Sequence, residues 1–311
     1  MRNNIGSGNT KAVGNHVFDR VDEAMKKTVI ILTALALIAS GCATKNRANK
    51  SRNNGWETGE QREYSVTSFD YSSIWLSSPN ISGEDIVYQG IIGNNYRRIQ
   101  VVFLTVERSE NDSCRYNVTG KSKVNNNICR FEGYFQIEAV NPYDGDPDVP
   151  EAYSGNIYGK YKLWENREEE HSGVFEGSFS TRFDAIEGYD VFLSMNRGHE
   201  IFEGINDFIG TWTSYETDES KICNWGWRIP PNANNLFRHR ENDAYNFNYK
   251  YLDQGWESYV YGGGVFAVID FENGEDLEDD IDVDDLEALE ALKERLDIFQ
   301  DLEEQKWWLQ E

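Results

Sequence analysis

Four short segments of this chain repeat one local pattern: an apolar residue, any residue, glycine, any residue, an aromatic ring. They are Phe131-Glu132-Gly133-Tyr134-Phe135, Ile157-Tyr158-Gly159-Lys160-Tyr161, Phe175-Glu176-Gly177-Ser178-Phe179 and Phe208-Ile209-Gly210-Thr211-Trp212. Alternate residues of a strand share a face, so each glycine stands between two large side chains on one side of a sheet. A missing side chain there lets the sheet coil sharply, or lets a neighbouring aromatic ring cover the gap. A closed or strongly curved antiparallel sheet requires both. The pattern therefore predicts a mainly β fold, a curved antiparallel sheet of barrel or sandwich kind, with a C-terminal α-helix. The clearest strands are Arg97–Arg108, Ile128–Val140, Asn156–Trp164, Gly173–Phe183 and Phe208–Tyr215, followed by Tyr245–Leu252 and Ser258–Phe271.

Ahead of this β region the chain changes character. Met25 to Cys42 reads MKKTVIILTALALIASGC, with Lys26 and Lys27 before an apolar run from Val29 to Ala39 and then Ser40, Gly41 and Cys42. A positive start, a short apolar middle and a small-residue exit are the parts of a secretory signal. The run is shorter than the ~20 apolar residues a spanning helix needs. Ile38-Ala39-Ser40-Gly41-Cys42 resembles the lipobox of bacterial lipoproteins, with Ala39 where that family usually has Leu. The resemblance implies that Cys42 is lipidated, becomes the new N-terminus and anchors the protein in the bacterial cell envelope. Ala43 after the cysteine, in place of Asp, implies the outer membrane. Ala39 and Gly41 equally suit an ordinary signal peptidase, which would release a soluble periplasmic or secreted protein.

Met1 to Ala24 brings Asp19, Asp22 and Glu23 in front of the basic start, so Met25 reads as the initiator. The chain then divides into residues 1–41 (upstream extension and signal), 42–63 (lipidated cysteine and tether), 64–271 (aromatic-rich β domain) and 272–311 (acidic loop and helix). The tether is polar and cannot bury enough apolar area to fold.

The formal net charge is −24; removing residues 1–41 takes away five basic and three acidic side chains and leaves −26. Such a surface repels phosphates and anionic headgroups, which excludes nucleic acid as a partner and favours a basic protein, a cationic peptide or a metal ion. Cys114 and Cys129 flank a polar, Asn-rich stretch, Lys121 to Asn127, and are expected to pair across a hairpin. Cys223 is left over as a small buried hydrophobe. Without a Cys-x-x-Cys, and with His171, His199 and His239 scattered, zinc is not expected.

Several stretches invite a chemical reading. Asp144, Asp146 and Asp148 alternate in a Pro- and Gly-rich loop and could converge on calcium, although Gly155 stands where an EF-hand needs its bidentate Glu. Gly120-Lys121-Ser122 ends like a phosphate-binding loop, but Arg115 occupies the place of the first glycine. Neither Gly-x-Ser-x-Gly nor His-Glu-x-x-His occurs. The most distinctive segment is Cys223-Asn224-Trp225-Gly226-Trp227-Arg228 before Pro230 and Pro231, in which Trp225, Trp227 and Arg228 could form a stacking platform. The alternative is that both tryptophans fill the core.

Residues 270–311 carry 18 acidic and three basic side chains. From Leu286 to Trp308 a helix is expected, with Leu289, Leu292, Leu296, Phe299 and Trp307 along one stripe that Glu303 interrupts. This helix either docks on the body or engages a partner. The Phe-Glu-Gly pieces resemble membrane-occupation repeats and Gly210-Thr211-Trp212 resembles the opening strand of lipocalins, but the repeat period and strand position differ, so neither implies a function. The expected role is a non-catalytic binding module for a protein, peptide or glycan, with no cofactor unless calcium. The alternatives are a glycan hydrolase using paired carboxylates and a purely structural envelope lipoprotein.

Overall fold

The computed structural model describes residues 69–77, 85–144, 152–186, 191–193, 205–239, 245–262, 266–272 and 286–310. The signal, Cys42, the tether, Asp146 and Asp148 lie outside them; Asp144 is described only as the last backbone position of its strand.

The expected curved sheet is a closed barrel. A short helix, α1 (Ser72–Trp75), precedes nine strands: β1 (Tyr88–Ile92), β2 (Arg97–Arg108), β3 (Arg115–Val124), β4 (Asn127–Asp144), β5 (Ala152–Glu165), β6 (Gly173–Ile186), β7 (Val191–Leu193), β8 (Asn206–Ser214) and β9 (Ser220–Gly226). Eight of them close a ring in the order β1-β2-β3-β4-β5-β6-β8-β9 and back to β1, with every neighbour antiparallel. β7 adds to β6 beyond the end of β8.

The register explains the glycines. Gly120 faces Phe131, Gly159 faces Phe179, Gly155 faces Phe183 and Gly177 faces Tyr161 across neighbouring strands. A Cβ on Gly159 would stand 2.5 Å from the Phe179 ring, and one on Gly120 would stand 2.4 Å from the Phe131 ring. The Phe131, Phe179 and Phe183 rings thus lie in the space their glycine partners leave, the Tyr161 hydroxyl lies in that of Gly210, and the wall coils enough to close.

Inward side chains fill the barrel. Phe208 sits among Tyr88, Phe103, Phe135, Tyr161, Phe179 and Trp225 at centroid distances of 5.4–5.9 Å. One end is plugged by α1, whose start is held by Asp70 accepting from the Ser72 amide. Its Trp75 is fully buried and meets Tyr116, Phe135 and Phe179 edge-on. Trp75 Nε1 donates to Thr181, Thr181 to Asn206, Asn206 to Tyr88 Oη, and Tyr88 Oη back to the Trp75 carbonyl. That closed circuit satisfies the polar atoms the plug buries.

After β9 the chain builds a second cluster from β10 (Phe237–His239), β11 (Tyr245–Asn248), a 3-10 turn at Tyr249–Gln254, α2 (Glu257–Gly262) and β12 (Phe266–Ile269) around Trp256, Phe237 and Phe247. Two strand expectations change here. Tyr245–Leu252 is strand only to Asn248, and Ser258–Phe271 divides into α2 and β12. Gly262, where α2 ends, opens a run of three glycines in the sequence, a turn signal inside the stretch expected as one strand. The C-terminal helix, α3, spans Leu286–Glu304 and is followed by a 3-10 turn at Trp307–Leu309.

The expected Cys114–Cys129 disulfide is not formed, and Cys129 carries a free thiol. Lys121 to Val124 are strand rather than loop, and the turn narrows to Asn125-Asn126 with Asn125 at φ 53°. Cys129 therefore pairs with Ser122 near that turn, whereas the Cys114 carbonyl bonds to Ile137, eight residues further along β4. At ~3.3 Å per strand residue the two cysteines lie at opposite ends of the hairpin, far beyond disulfide reach.

Candidate functional site: a groove on the outer face

Aromatic rings fill the barrel, and the candidate site lies on its outer face. Outward residues of β2, β3 and β4 form rows across the strands. Glu107, Asn117 and Tyr134 make one row and Thr105, Thr119 and Glu132 the next. With Arg115 and Trp164 they line a groove of about 340 Å³. Tyr134 and Trp164 lie 5.8 Å apart and tilted by 50°; Trp164 is 37% exposed. The Arg115 guanidinium stacks over Tyr134 at 3.7 Å, and Lys162, held 2.6 Å from Glu176, reaches over Trp164 at 5.9 Å. Glu176 also raises the pKa of Lys162, so that cation stays charged. The Thr105 and Thr119 hydroxyls share a hydrogen bond of 2.7 Å. The groove thus offers an aromatic shelf, the Arg115 guanidinium, two exposed carboxylates, two hydroxyls and a carboxamide, with Lys162 beside the Trp164 ring.

None of these residues was a sequence candidate, yet a signal was there. Tyr134 and Trp164 occupy the strand positions that alternate with Phe135 and Leu163, and those two are buried. A large aromatic on the wrong parity of a core strand points to solvent.

The segment singled out in the sequence is placed differently. Trp225 is fully buried and stacks on Phe208 at 5.4 Å and 15°, inside the barrel. It cannot present a face to a ligand, so the core reading holds for it. Trp227 is partly buried against the same core, and Arg228, at φ 71°, folds its guanidinium over the Trp227 ring at 4.7 Å.

A buried carboxylate lies at the barrel end opposite α1. Glu165 accepts from Ser122 Oγ, from the Gly173 amide at 2.8 Å and from Trp212 Nε1 at 2.8 Å. Burial raises its pKa against these three donors. Burial and the nearby Glu165 push the Cys129 thiol up to about 12, and they raise Cys223 as well. Both thiols are thus held protonated more firmly than that of a free cysteine. Among the described residues no cluster of His, Cys, Asp or Glu could hold a metal. The calcium loop falls outside those residues, apart from the backbone of Asp144.

The acidic helix docks on the body. Phe299 stacks on Tyr261 at 6.1 Å, and Arg295 pairs with Glu257 at 2.6 Å. Leu296 is half-buried; the side chains of Leu289 and Leu292 lie outside the described residues. Glu303, which breaks the apolar stripe, is the anchor: it takes two bonds from Arg98 at 2.7 and 2.6 Å and one from Ser258 at 2.5 Å. Burial raises its pKa, but Arg98, Ser258 and Lys123 outweigh that and hold it below the usual range. Trp307 and Trp308 then pack on Val102, Val87 and Ile128 outside the barrel.

Among the described residues no helix is long and apolar enough to cross a membrane. No family model matches this chain, and no curated protein or solved structure matches it.

Proposed function

We propose that the protein is a non-catalytic binding module presented from the bacterial envelope by lipid on Cys42, and that its groove takes a neutral or amino-sugar glycan. One observation carries this reading: the Tyr134–Trp164 shelf, partly exposed beside side chains that bond hydroxyl groups. Aromatic faces supply contact area with little rotamer entropy to lose, and convergent polar groups orient what stacks on them. The net charge of −24 argues against an anionic glycan.

Calorimetric titration of the full chain with chitohexaose, maltohexaose and cellohexaose tests the site. Binding by at least one, abolished in a folded Trp164→Ala variant, is the expected result. Binding that survives Trp164→Ala removes the groove from the reading, and release of shorter sugars during the titration would replace binding by hydrolysis. The anchor is tested separately: Cys42→Ser should move the protein from the membrane fraction to the soluble one and abolish labelling by a palmitate analogue.

A further inference from the structure

The rows that form the groove do not stop where the groove stops. Along β3 the outward residues run Asn117, Thr119, Lys121, Lys123. Beside Lys121 stand Val102 on β2 and Arg130 on β4; beside Lys123 stand Gln100 and Ile128. The first two rows are open and line the groove, while the next two lie under the chain's own C-terminal residues. Lys121 Nζ donates to the Gln310 carbonyl at 2.5 Å, Lys123 lies 5.6 Å over the Trp307 ring, and Val102 is completely covered by Trp307 and Trp308. Successive outward rows are ~7 Å apart along a strand, so Gln310, bonded to Lys121, lies one row from the groove floor.

We infer that the groove is the open half of a longer binding strip, and that the segment Lys306 to Gln310 is an intramolecular plug that a ligand must displace to occupy the rest. The inference rests on the reading of the groove as a glycan site. Three features make the plug displaceable. Trp307 Nε1 is buried without a hydrogen-bond partner, a cost borne only while docked. Burial, with Arg130 near Lys121 and Arg98 near Lys123, makes both ammonium groups costly to keep beneath the segment, a cost relieved when it lifts. The segment itself is short, and its Lys306–Asp85 bridge of 2.6 Å is exposed on the lysine side. Once bare, the strip offers Val102 and Ile128 to the apolar faces of sugar rings and two lysine ammonium groups to their oxygens.

The test uses the full chain in three forms: wild type, Trp307→Ala/Trp308→Ala, and Lys306→Glu, which sets like charges against Asp85 without touching a buried ring. Acetylation of Lys121, followed by mass spectrometry against exposed Lys160, reports whether the plug is in place. Calorimetry with chitohexaose reports affinity. In wild type Lys121 should label slowly and faster once chitohexaose is added; in both variants it should label fast without sugar. Affinity in the variants should rise about tenfold, the gain when a site about one-tenth open becomes fully open. Fast Lys121 labelling with unchanged affinity overturns the plug and leaves the groove reading standing. So does Lys121 labelling that stays slow in both variants. If chitohexaose binds none of the three forms, the groove reading fails for this sugar and the plug fails with it.

Discussion

Trp225 and Trp307 are both almost completely buried, at 0% and 2% exposure, yet they occupy opposite sides of the same wall. Trp225 lies inside the barrel, touching Phe208, Tyr161 and Phe175 within 5.1–5.5 Å, with strands on every side. Trp307 lies outside, in a small cluster of three buried residues with Val102 and Trp308, against which Val87 and Ile128 are partly buried. Burial of one residue therefore says little about its role. A side chain surrounded by the closed sheet cannot leave without unfolding it, whereas one laid on the outer surface can be exchanged for another molecule. The difference separates a scaffold that is filled and fixed from a surface that is free to change its occupant.

The largest test of this contrast is to hollow the inside. Phe208→Ala should cost about 4 kcal/mol in chemical denaturation, because rings held on all sides cannot collapse into the void. Trp308→Ala should cost less than half as much; equal losses would mean the outer cluster is part of the scaffold. Next comes Glu165→Leu, which strips the Gly173 amide and the Trp212 indole of their acceptor and should cost about 2–3 kcal/mol. Glu165→Gln keeps an acceptor there and should be nearly silent at low pH. Gly120→Ala should cost about 1–3 kcal/mol, since its Cβ would meet the Val102 carbonyl at 2.1 Å and the Phe131 ring at 2.4 Å.

Smaller effects should appear with pH, and they differ in sign between the two regions. The raised pKa of Glu165 means that its contribution is complete below the unfolded carboxyl value of about 4.3 and is lost as pH rises through the folded value. The lowered pKa of Glu303 means the reverse: its contribution is present above about pH 4.3 and is lost as pH falls through the folded value. Denaturation against pH should show wild type falling below Glu165→Gln as pH rises and losing its advantage over Glu303→Gln as pH falls, and matching slopes would break the assignment. The smallest change in stability belongs to the groove. Trp164→Ala should stay within about 0.5 kcal/mol of wild type, because its ring rests on the surface.

The sequence carried the fold through one device. Gly133, Gly159, Gly177 and Gly210 stand between large residues at strand spacing, and the face they share could be read without coordinates because strand parity is a local property. β3 was harder to see: its inward residues are Tyr116, Val118, Gly120 and Ser122, and its outward ones are polar, so it offers little apolar alternation. Reading Lys121 to Val124 as loop produced the wrong disulfide, since two cysteines that seem to flank a turn are separated by the length of the hairpin. The helix was legible from its heptad-like stripe, but Glu303 looked like a defect in it. Its partner Arg98 stands 205 residues away.

By itself, then, the sequence determined the strand faces, the curvature and the acidic terminal helix, because each depends on neighbours within a few residues. Whether Trp225 fills the core or faces a ligand, which carboxylate anchors the helix and which aromatics meet across β4 and β5 were decided only when the barrel closed. Closure fixes register between segments far apart in the chain, and register sets which side chains share a row. Tyr134 and Trp164 are thirty residues apart in sequence, and they become one shelf because Glu132 pairs with Trp164 and Tyr134 with Lys162.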